Sequence, residues 1–112
     1  MTGVQTCALP IYTYFEYYDA VAELVKMQGQ MPSVSTEEYM KAATIKEVPA
    51  KEYPVAEALD IVLKDLEVMT KAALKIREGA EKEDNFLLAN MMEDHVAYYM
   101  KQRWFISATL YK

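Results

Sequence analysis

Residues 54–80, PVAEALDIVLKDLEVMTKAALKIREGA, contain the strongest periodic pattern of the chain. Apolar residues recur there at alternating steps of four and three positions, a spacing that places them on one face of an α-helix. Proline is tolerated in the first turn of a helix, because its missing N–H needs no partner there. The stretch therefore predicts a long helix that starts at Pro54 and ends at Gly79 and the charged run 81–84. Its apolar stripe consists of Val55, Leu59, Val62, Leu66, Met69, Ala73, Ile76 and Ala80.

A second long helix is predicted from about Asp84 to Leu110. One apolar stripe runs along it, and further apolar residues flank this stripe, which is typical of a helix buried against several neighbours. At 1.5 Å per residue, each long helix is roughly 40 Å long. Two such helices favour an all-α, up-and-down bundle. The stripe consists of Leu88, Met92, His95, Tyr99, Gln102 and Ile106.

Two shorter segments precede these helices. Residues 12–28 have helical spacing of apolar side chains, and Gly29 is a suitable C-terminal stop. Ser35 and Glu38 form a capping box that predicts a short helix to about Ala43. The following residues, 44–53, have no helical period and are predicted to be a connection.

Composition excludes several classes of protein. The chain has 112 residues and a formal charge of −5, from 12 basic and 17 acidic side chains. With 53% hydrophobic residues it is too apolar for a disordered chain, and its length suits one domain. The acidic balance disfavours binding to the phosphate backbone of DNA, and no apolar run approaches the roughly 18 residues of a membrane span. The sequence thus gives no support for DNA binding, and we expect a cytoplasmic protein without a membrane partner.

Residues 1–11, MTGVQTCALPI, differ from the rest of the chain. They carry no charged side chain, and they lack the basic start and apolar run of a signal peptide. Residues 2–11 resemble the translation of a common short-read sequencing adapter. We therefore interpret 1–11 as an adapter-derived artefact, the alternative being a disordered tail. Cys7, the single cysteine, lies in this segment and excludes an internal disulfide.

Asp19 and Glu23 are the carboxylates that best suit a metal ion. Four residues apart on a helix, they lie on one face about one turn apart, and their like charges repel. A bound cation would relieve this repulsion, and carboxylate oxygens suit iron in a helical bundle. The alternative is a solvated helix face.

Other polar residues have plainer interpretations. His95 lies on an apolar stripe without the Glu-x-x-His spacing of bundle metal sites, so we expect a buried core histidine. Trp104 is expected to be a packing anchor in the core or at an interface. The sequence has no phosphate-binding glycine loop, metalloprotease motif or nucleophile elbow. Acidic residues near the start of the last helix either attract cations or form a solvated helix start: Glu81, Glu83, Asp84, Glu93 and Asp94.

Three stretches together resemble the Dps mini-ferritins, the DNA-protection-during-starvation family. Residues 19–24, DAVAEL, resemble the family's D-x-x-A-E-R motif, and Gly29 and Pro32 follow as in its GG-x-P. Residues 35–47, STEEYMKAATIKE, resemble the short helix between the second and third bundle helices. Residues 101–108, KQRWFISA, resemble the K-x-x-W-[FM]-x-x-A near the family's C-terminus.

The resemblance implies a ferritin-like four-helix bundle with a short helix in the middle connection. It further implies a homo-oligomer, a hollow dodecamer that binds Fe(II) between two-fold-related subunits. Such proteins oxidise the iron, preferably with hydrogen peroxide, and store ferric mineral. Asp19 and Glu23 match the family's carboxylate iron ligands. The region that lines an iron-entry pore would include Glu83, Asp84, Glu93 and Asp94.

The sequence also departs from the family pattern. Leu24 replaces the arginine after the motif glutamate, and Gln30 replaces the second glycine. No residue is a candidate for either histidine ligand of the family, and no lysine-rich tail suggests DNA binding. We interpret 12–112 as a partial ferritin-like domain that lacks the first bundle helix. We expect it to hold half of an iron site and to be inactive alone.

Two alternatives to an iron-oxidising protein stay open. One is a ferritin-like relative that keeps the bundle without iron chemistry. The other is a helical interaction module in which Asp19 and Glu23 are merely exposed.

Overall fold

The computed structural model describes the backbone of residues 3–111 and the side chains of residues 10–111. Four helices follow one another along the chain, and no strand occurs within 3–111, so the predicted all-α class is confirmed. The chain forms two compact units, Met1–Ala43 and Thr44–Lys112. Across the part of the chain described, no helix is long and apolar enough to cross a membrane. The helices are α1 (Gly3–Met27), α2 (Thr36–Ala42), α3 (Val55–Lys82) and α4 (Phe86–Leu110).

Helix α1 is longer than its apolar pattern predicts. It begins at Gly3, so the expected start near Tyr12 was wrong. Residues 3–11 have neither amphipathic spacing nor charge, and no pattern marks their helical state. Pro10 lies inside the helix, where its ring nitrogen cannot donate a hydrogen bond to the carbonyl four residues earlier.

Gly29 ends α1 as predicted. Its φ of +83° lies in the left-handed region, which glycine adopts without the strain of a Cβ atom. The Gln30 N–H donates to the Val25 carbonyl at 3.0 Å, and the Gly29 N–H donates to the Lys26 carbonyl at 3.0 Å. These two bonds form a Schellman motif, which satisfies carbonyls that the end of the helix would otherwise leave without donors.

The short helix α2 begins at the predicted capping box. The Ser35 Oγ accepts a hydrogen bond from the Glu38 N–H at 3.2 Å. The Glu38 carboxylate reaches back and accepts from the Val34 N–H at 2.8 Å, one residue before the N-cap. Both ends of the box therefore satisfy backbone donors at the helix start, which explains why seven residues form a helix here.

Helices α3 and α4 pack against each other as an antiparallel hairpin and form the core of the second unit. Leu66 is the best buried side chain, with 1% of its surface exposed. Small alanines on both helices allow the backbones to approach closely. Only part of the predicted stripe is buried in this unit, because Val55, Val62 and Ile76 are exposed. The buried side chains of the two helices are Leu66, Thr70, Ala73, Ala80, Ala89, Met92, His95 and Tyr99.

The turn between α3 and α4 lies within the predicted charged run 81–84. Gly79 does not end α3, which continues to Lys82. Instead Asp84 adopts a φ of +54°, and the Asn85 N–H donates to the Ala80 carbonyl at 2.8 Å. Asn85 then caps α4 through its side chain, which accepts from the Leu88 N–H at 3.3 Å. Aspartate tolerates the left-handed conformation better than most residues, so it replaces glycine at this stop.

Candidate metal site on the first helix

Asp19 and Glu23 both lie in α1 and are exposed to solvent. Their spacing of four residues places the carboxylates on one helix face, about one turn apart, as the sequence predicts. Among the side chains described, neither forms a salt bridge with a basic residue. The structure therefore leaves two neighbouring negative charges open to a cation from solution.

The surface beside Asp19 is a cavity of about 470 Å³ lined by aromatic and acidic side chains. Tyr12, Phe15 and Tyr18 supply the rings, and Glu16 and Asp19 supply the carboxylates. The apolar walls lower the local dielectric, which strengthens attraction between carboxylates and a cation. Glu16 is a further candidate ligand that the sequence analysis missed, although its spacing of three residues from Asp19 was a visible signal.

The described carboxylates do not complete a metal site by themselves. Across residues 10–111, no group of three His, Cys, Asp or Glu side chains is placed to hold a metal ion. A stable iron site needs more donors than the two that Asp19 and Glu23 supply. Any further ligands must come from groups other than these two carboxylates.

The acidic group near the α3–α4 turn is only partly brought together. Asp84 and Glu93 line one cavity of about 670 Å³, together with Glu81 and the apolar ring of Phe86. Glu83 and Asp94, the other two predicted pore residues, are exposed but do not line this cavity. The structure thus brings together three of the five acidic residues that the sequence singled out, namely Glu81, Asp84 and Glu93.

Arg77 neutralises much of this acidic cavity. Its Nε donates to Glu93 at 2.8 Å, and its guanidinium lies 2.9 Å from a carboxylate oxygen of Glu81. These two carboxylates raise the pKa of Arg77, with the hydrogen bond to Glu93 as the largest cause. Asp84 is the carboxylate of the cavity that Arg77 does not contact. Sequence reasoning missed Arg77, although its spacing of four from Glu81 is a known signal for an ion pair.

His95 is a core residue, as the sequence predicts. Only 6% of its surface is exposed, and its ring lies edge-on to Tyr99 with 6.3 Å between centroids. Burial lowers the pKa of His95 because the charged form loses its hydration, and the neighbouring Asp94 opposes this shift. The neutral, buried imidazole of His95 therefore contributes to the packing of the α3–α4 hairpin.

Trp104 is not a core anchor of the single chain, and that part of the expectation was wrong. The side chain is 64% exposed, and its ring lies 4.9 Å from that of the following residue, Phe105. The residues next to Trp104 on α4 do not cover its ring, because this side of the helix is exposed to solvent. Its alternative role as an interface contact stays a prediction.

The comparisons with known proteins agree with this fold. Residues 13–112 match the Ferritin family, described as a ferritin-like domain. Among curated protein sequences, none matches the chain.

Solved structures give the same result at the level of architecture. Helicobacter cinaedi CAIP has a TM-score of 0.86 and 29% identity, over 94% of this chain and 74% of its own. Dps from Listeria innocua, in a crystal soaked with zinc, has a TM-score of 0.84 and 25% identity, over 92% of this chain and 70% of its own. Antigen TpF1 from Treponema pallidum has a TM-score of 0.84 and 24% identity, over 88% of this chain.

The chain belongs to the ferritin family, and its predicted membership of the Dps mini-ferritins is confirmed. Its fold is the ferritin-like four-helix bundle. The chain spans 63% of the length of antigen TpF1 and 62% of that of Dps from Thermosynechococcus elongatus.

Proposed function

We propose that the protein, in its assembled form, binds Fe(II), oxidises it with hydrogen peroxide and stores the ferric product. Iron is substrate and cargo in this reaction. The observation that carries the proposal is the pair Asp19 and Glu23, exposed one turn apart on α1 of a ferritin-family chain. Carboxylate oxygens suit iron in helical bundles.

The chemistry of the pair favours an iron ion. The two carboxylates repel each other on the helix, and a bound cation converts this repulsion into attraction. Carboxylate oxygens are hard donors, so they stabilise Fe(III) more than Fe(II) and favour the loss of an electron. Two Fe(II) ions supply two electrons and the solvent supplies two protons, which together reduce one hydrogen peroxide molecule to two water molecules.

The same pair requires assembly, because two carboxylates leave coordination positions unfilled. We propose that the remaining ligands come from a second copy of the protein in a homo-oligomer, which the resemblance implies is a dodecamer. This chain alone then holds half of a site and is inactive. Glu16, in the same cavity as Asp19, is the nearest further carboxylate that α1 offers.

The acidic cavity at the α3–α4 turn is proposed as a cation entry point. Asp84 is the carboxylate that Arg77 leaves free, whereas Glu93 and Glu81 already interact with that guanidinium. Glu83 and Asp94 stay in the proposal as exposed charges outside the cavity. An Asp84→Asn variant should slow iron uptake while leaving oxidation at α1 intact.

The proposal is tested by removing the two charges without changing side-chain size. In the assembled protein, an Asp19→Asn, Glu23→Gln variant should lose peroxide-dependent Fe(II) oxidation, measured as the appearance of ferric absorbance. A Glu47→Gln, Glu52→Gln variant removes two exposed charges from the connection before α3 and is the matched control. Unchanged oxidation in the first variant would show that the pair is not the iron site.

A non-catalytic role is the second candidate. Exposure of both carboxylates, and the lack of a third ligand among residues 10–111, also suit a ferritin-like or helical interaction module. Such a module would bind no Fe(II) in the assembled protein. Equilibrium binding of Fe(II) therefore separates the two candidates without any measurement of turnover.

A further inference from the structure

Two tyrosines from different helices of the first unit meet at their hydroxyl groups. Tyr18 lies in α1 and Tyr39 in α2, and the two hydroxyl oxygens are in hydrogen-bond contact. The ring centroids are 5.5 Å apart and the ring planes are inclined at 71°. The ortho carbons of each ring flank its hydroxyl-bearing carbon, so the contact between the hydroxyl groups places ortho carbons of the two rings near one another.

The direction of the hydrogen bonds follows from a count of protons. The Tyr39 hydroxyl donates its single proton to the Ser33 carbonyl at 2.6 Å. Its oxygen therefore accepts from Tyr18, which makes Tyr18 the first donor of a chain that ends at Ser33. The contact with Tyr18 raises the pKa of Tyr39 to about 12, so the Tyr39 phenol is neutral at physiological pH.

Both rings are accessible to small reagents. Tyr18 is 52% exposed and Tyr39 is half-buried. They line a cavity of about 510 Å³ whose other walls are Ile11, Tyr14 and Phe15. By contrast, the tyrosine pair Tyr98 and Tyr99 comes from adjacent positions of one helix, and Tyr99 is buried.

We propose that Tyr18 and Tyr39 are an oxidative cross-linking site, at which a one-electron oxidant derived from hydrogen peroxide joins their rings as dityrosine. The juxtaposition of two accessible, hydrogen-bonded phenols from different helices carries the proposal. It does not depend on the iron site, although the neighbouring Asp19 would place iron-peroxide chemistry next to the pair.

The reaction balances in electrons and protons. Each phenol loses one electron and its hydroxyl proton to give a phenoxyl radical, and the two protons pass to the surrounding water. A carbon–carbon bond then forms between one ortho position of each ring. The two hydrogens on the joined carbons move to the oxygens and restore both hydroxyls. In total the tyrosines lose two electrons and two protons, which reduce one hydrogen peroxide molecule to two water molecules.

The bond would tie α2 covalently to α1. The eight residues 28–35 that join these helices contain one Schellman motif and one capping box as their local constraints. A cross-link adds a permanent constraint between the helices and removes two easily oxidised phenols. The cross-link would therefore persist as a covalent mark of exposure to hydrogen peroxide.

The test treats the full chain at low concentration with a haem peroxidase and hydrogen peroxide. Trypsin cuts after Lys26 and Lys41, so Tyr18 lies in peptide 1–26 and Tyr39 is the one tyrosine of peptide 27–41. We expect these two peptides to appear joined, with a mass two hydrogens below their sum, together with dityrosine fluorescence. Dilution of the protein should not reduce the yield.

Three variants determine which tyrosines form the cross-link. The joined peptide should disappear in both Tyr18→Phe and Tyr39→Phe, which keep the ring and so preserve packing. It should persist in Tyr12→Phe, which removes an equally exposed tyrosine of α1. Persistence in Tyr18→Phe would assign the coupling to another tyrosine of peptide 1–26 and overturn the proposal. A yield that falls in proportion to dilution would indicate coupling between molecules and would also overturn it.

Discussion

In the α3–α4 hairpin, the side chains of Met92, His95 and Tyr99 are buried. On α1, by contrast, the rings of Tyr12, Phe15 and Tyr18 are exposed to solvent. The exposed rings share one cavity with two carboxylates, Glu16 and Asp19. The buried region is held by packing, which tolerates no charge without a partner. The exposed region keeps its charges available to a ligand, and its rings to a reagent or to another copy of the chain.

The two regions should differ most in how much the free energy of unfolding falls when a large apolar side chain is replaced by alanine. Leu66→Ala removes a fully buried side chain of the hairpin and should lower the free energy of unfolding by about 2–5 kcal/mol. Phe15→Ala on α1 removes a ring that is mostly exposed and should change it by about 0.5 kcal/mol or less. Urea unfolding of both variants measures the contrast, and equal losses would refute it.

Acid should weaken the hairpin through His95. Burial holds the pKa of this imidazole below its usual value, so the unfolded chain binds a proton more readily than the folded one. Stability is therefore unaffected above the unfolded pKa of about 6.5 and falls as the pH decreases from there towards the folded pKa. His95 is the single histidine of the chain, and His95→Gln should remove this part of the pH dependence in thermal unfolding.

If the pH dependence near 6 were the same in His95→Gln as in the unchanged protein, the buried imidazole would not be its source.

Two glycines allow a matched comparison of backbone conformation. An added Cβ at Gly29 or at Gly79 meets no atom within 4 Å, so neither substitution creates a clash. Gly79 lies inside α3, and Gly79→Ala should stabilise the protein by about 0.5–1 kcal/mol. Gly29 has a φ of +83°, and Gly29→Ala should destabilise it by about 1–2 kcal/mol. Thermal unfolding of both variants should give shifts of opposite sign, and two shifts of the same sign would be inconsistent with the described turn.

The smallest effect is expected from the ion pair across the hairpin. Arg103 lies 3.3 Å from a carboxylate oxygen of Glu67, and both side chains are partly exposed. Solvent screening limits such a pair to about 0.2–1 kcal/mol, so Glu67→Gln should lower stability slightly and less so at high salt. A loss that does not depend on salt would show that Glu67 acts through packing instead.

Local patterns predicted most of the helices. The stripe through Leu66 and Ala73 gave α3, and the pair Ser35 and Glu38 gave α2, because helical spacing and capping are properties of neighbouring residues. The charged run 81–84 predicted the break before α4, whereas Gly79 does not stop α3 and the predicted start of α1 was wrong. A glycine is tolerated inside a helix at a modest cost, and the real stop at Asp84 depends on a left-handed conformation that aspartate only sometimes adopts.

The candidate sites were less predictable from the sequence. The spacing of Asp19 and Glu23 was visible within one helix, and their role as metal ligands stays a prediction. The bond between Arg77 and Glu93 joins two helices, as does the contact of Tyr18 with Tyr39, and no local rule pairs such distant positions. Sequence reasoning therefore found the carboxylates of one helix and missed the partners that come from another.

Anaerobic titration of the assembled protein with Fe(II) in a calorimeter measures whether the exposed carboxylates of α1 bind iron. We expect binding that is lost in Asp19→Asn, Glu23→Gln and retained in the Glu47→Gln, Glu52→Gln control. Binding of the same stoichiometry and affinity in all three proteins would contradict this expectation.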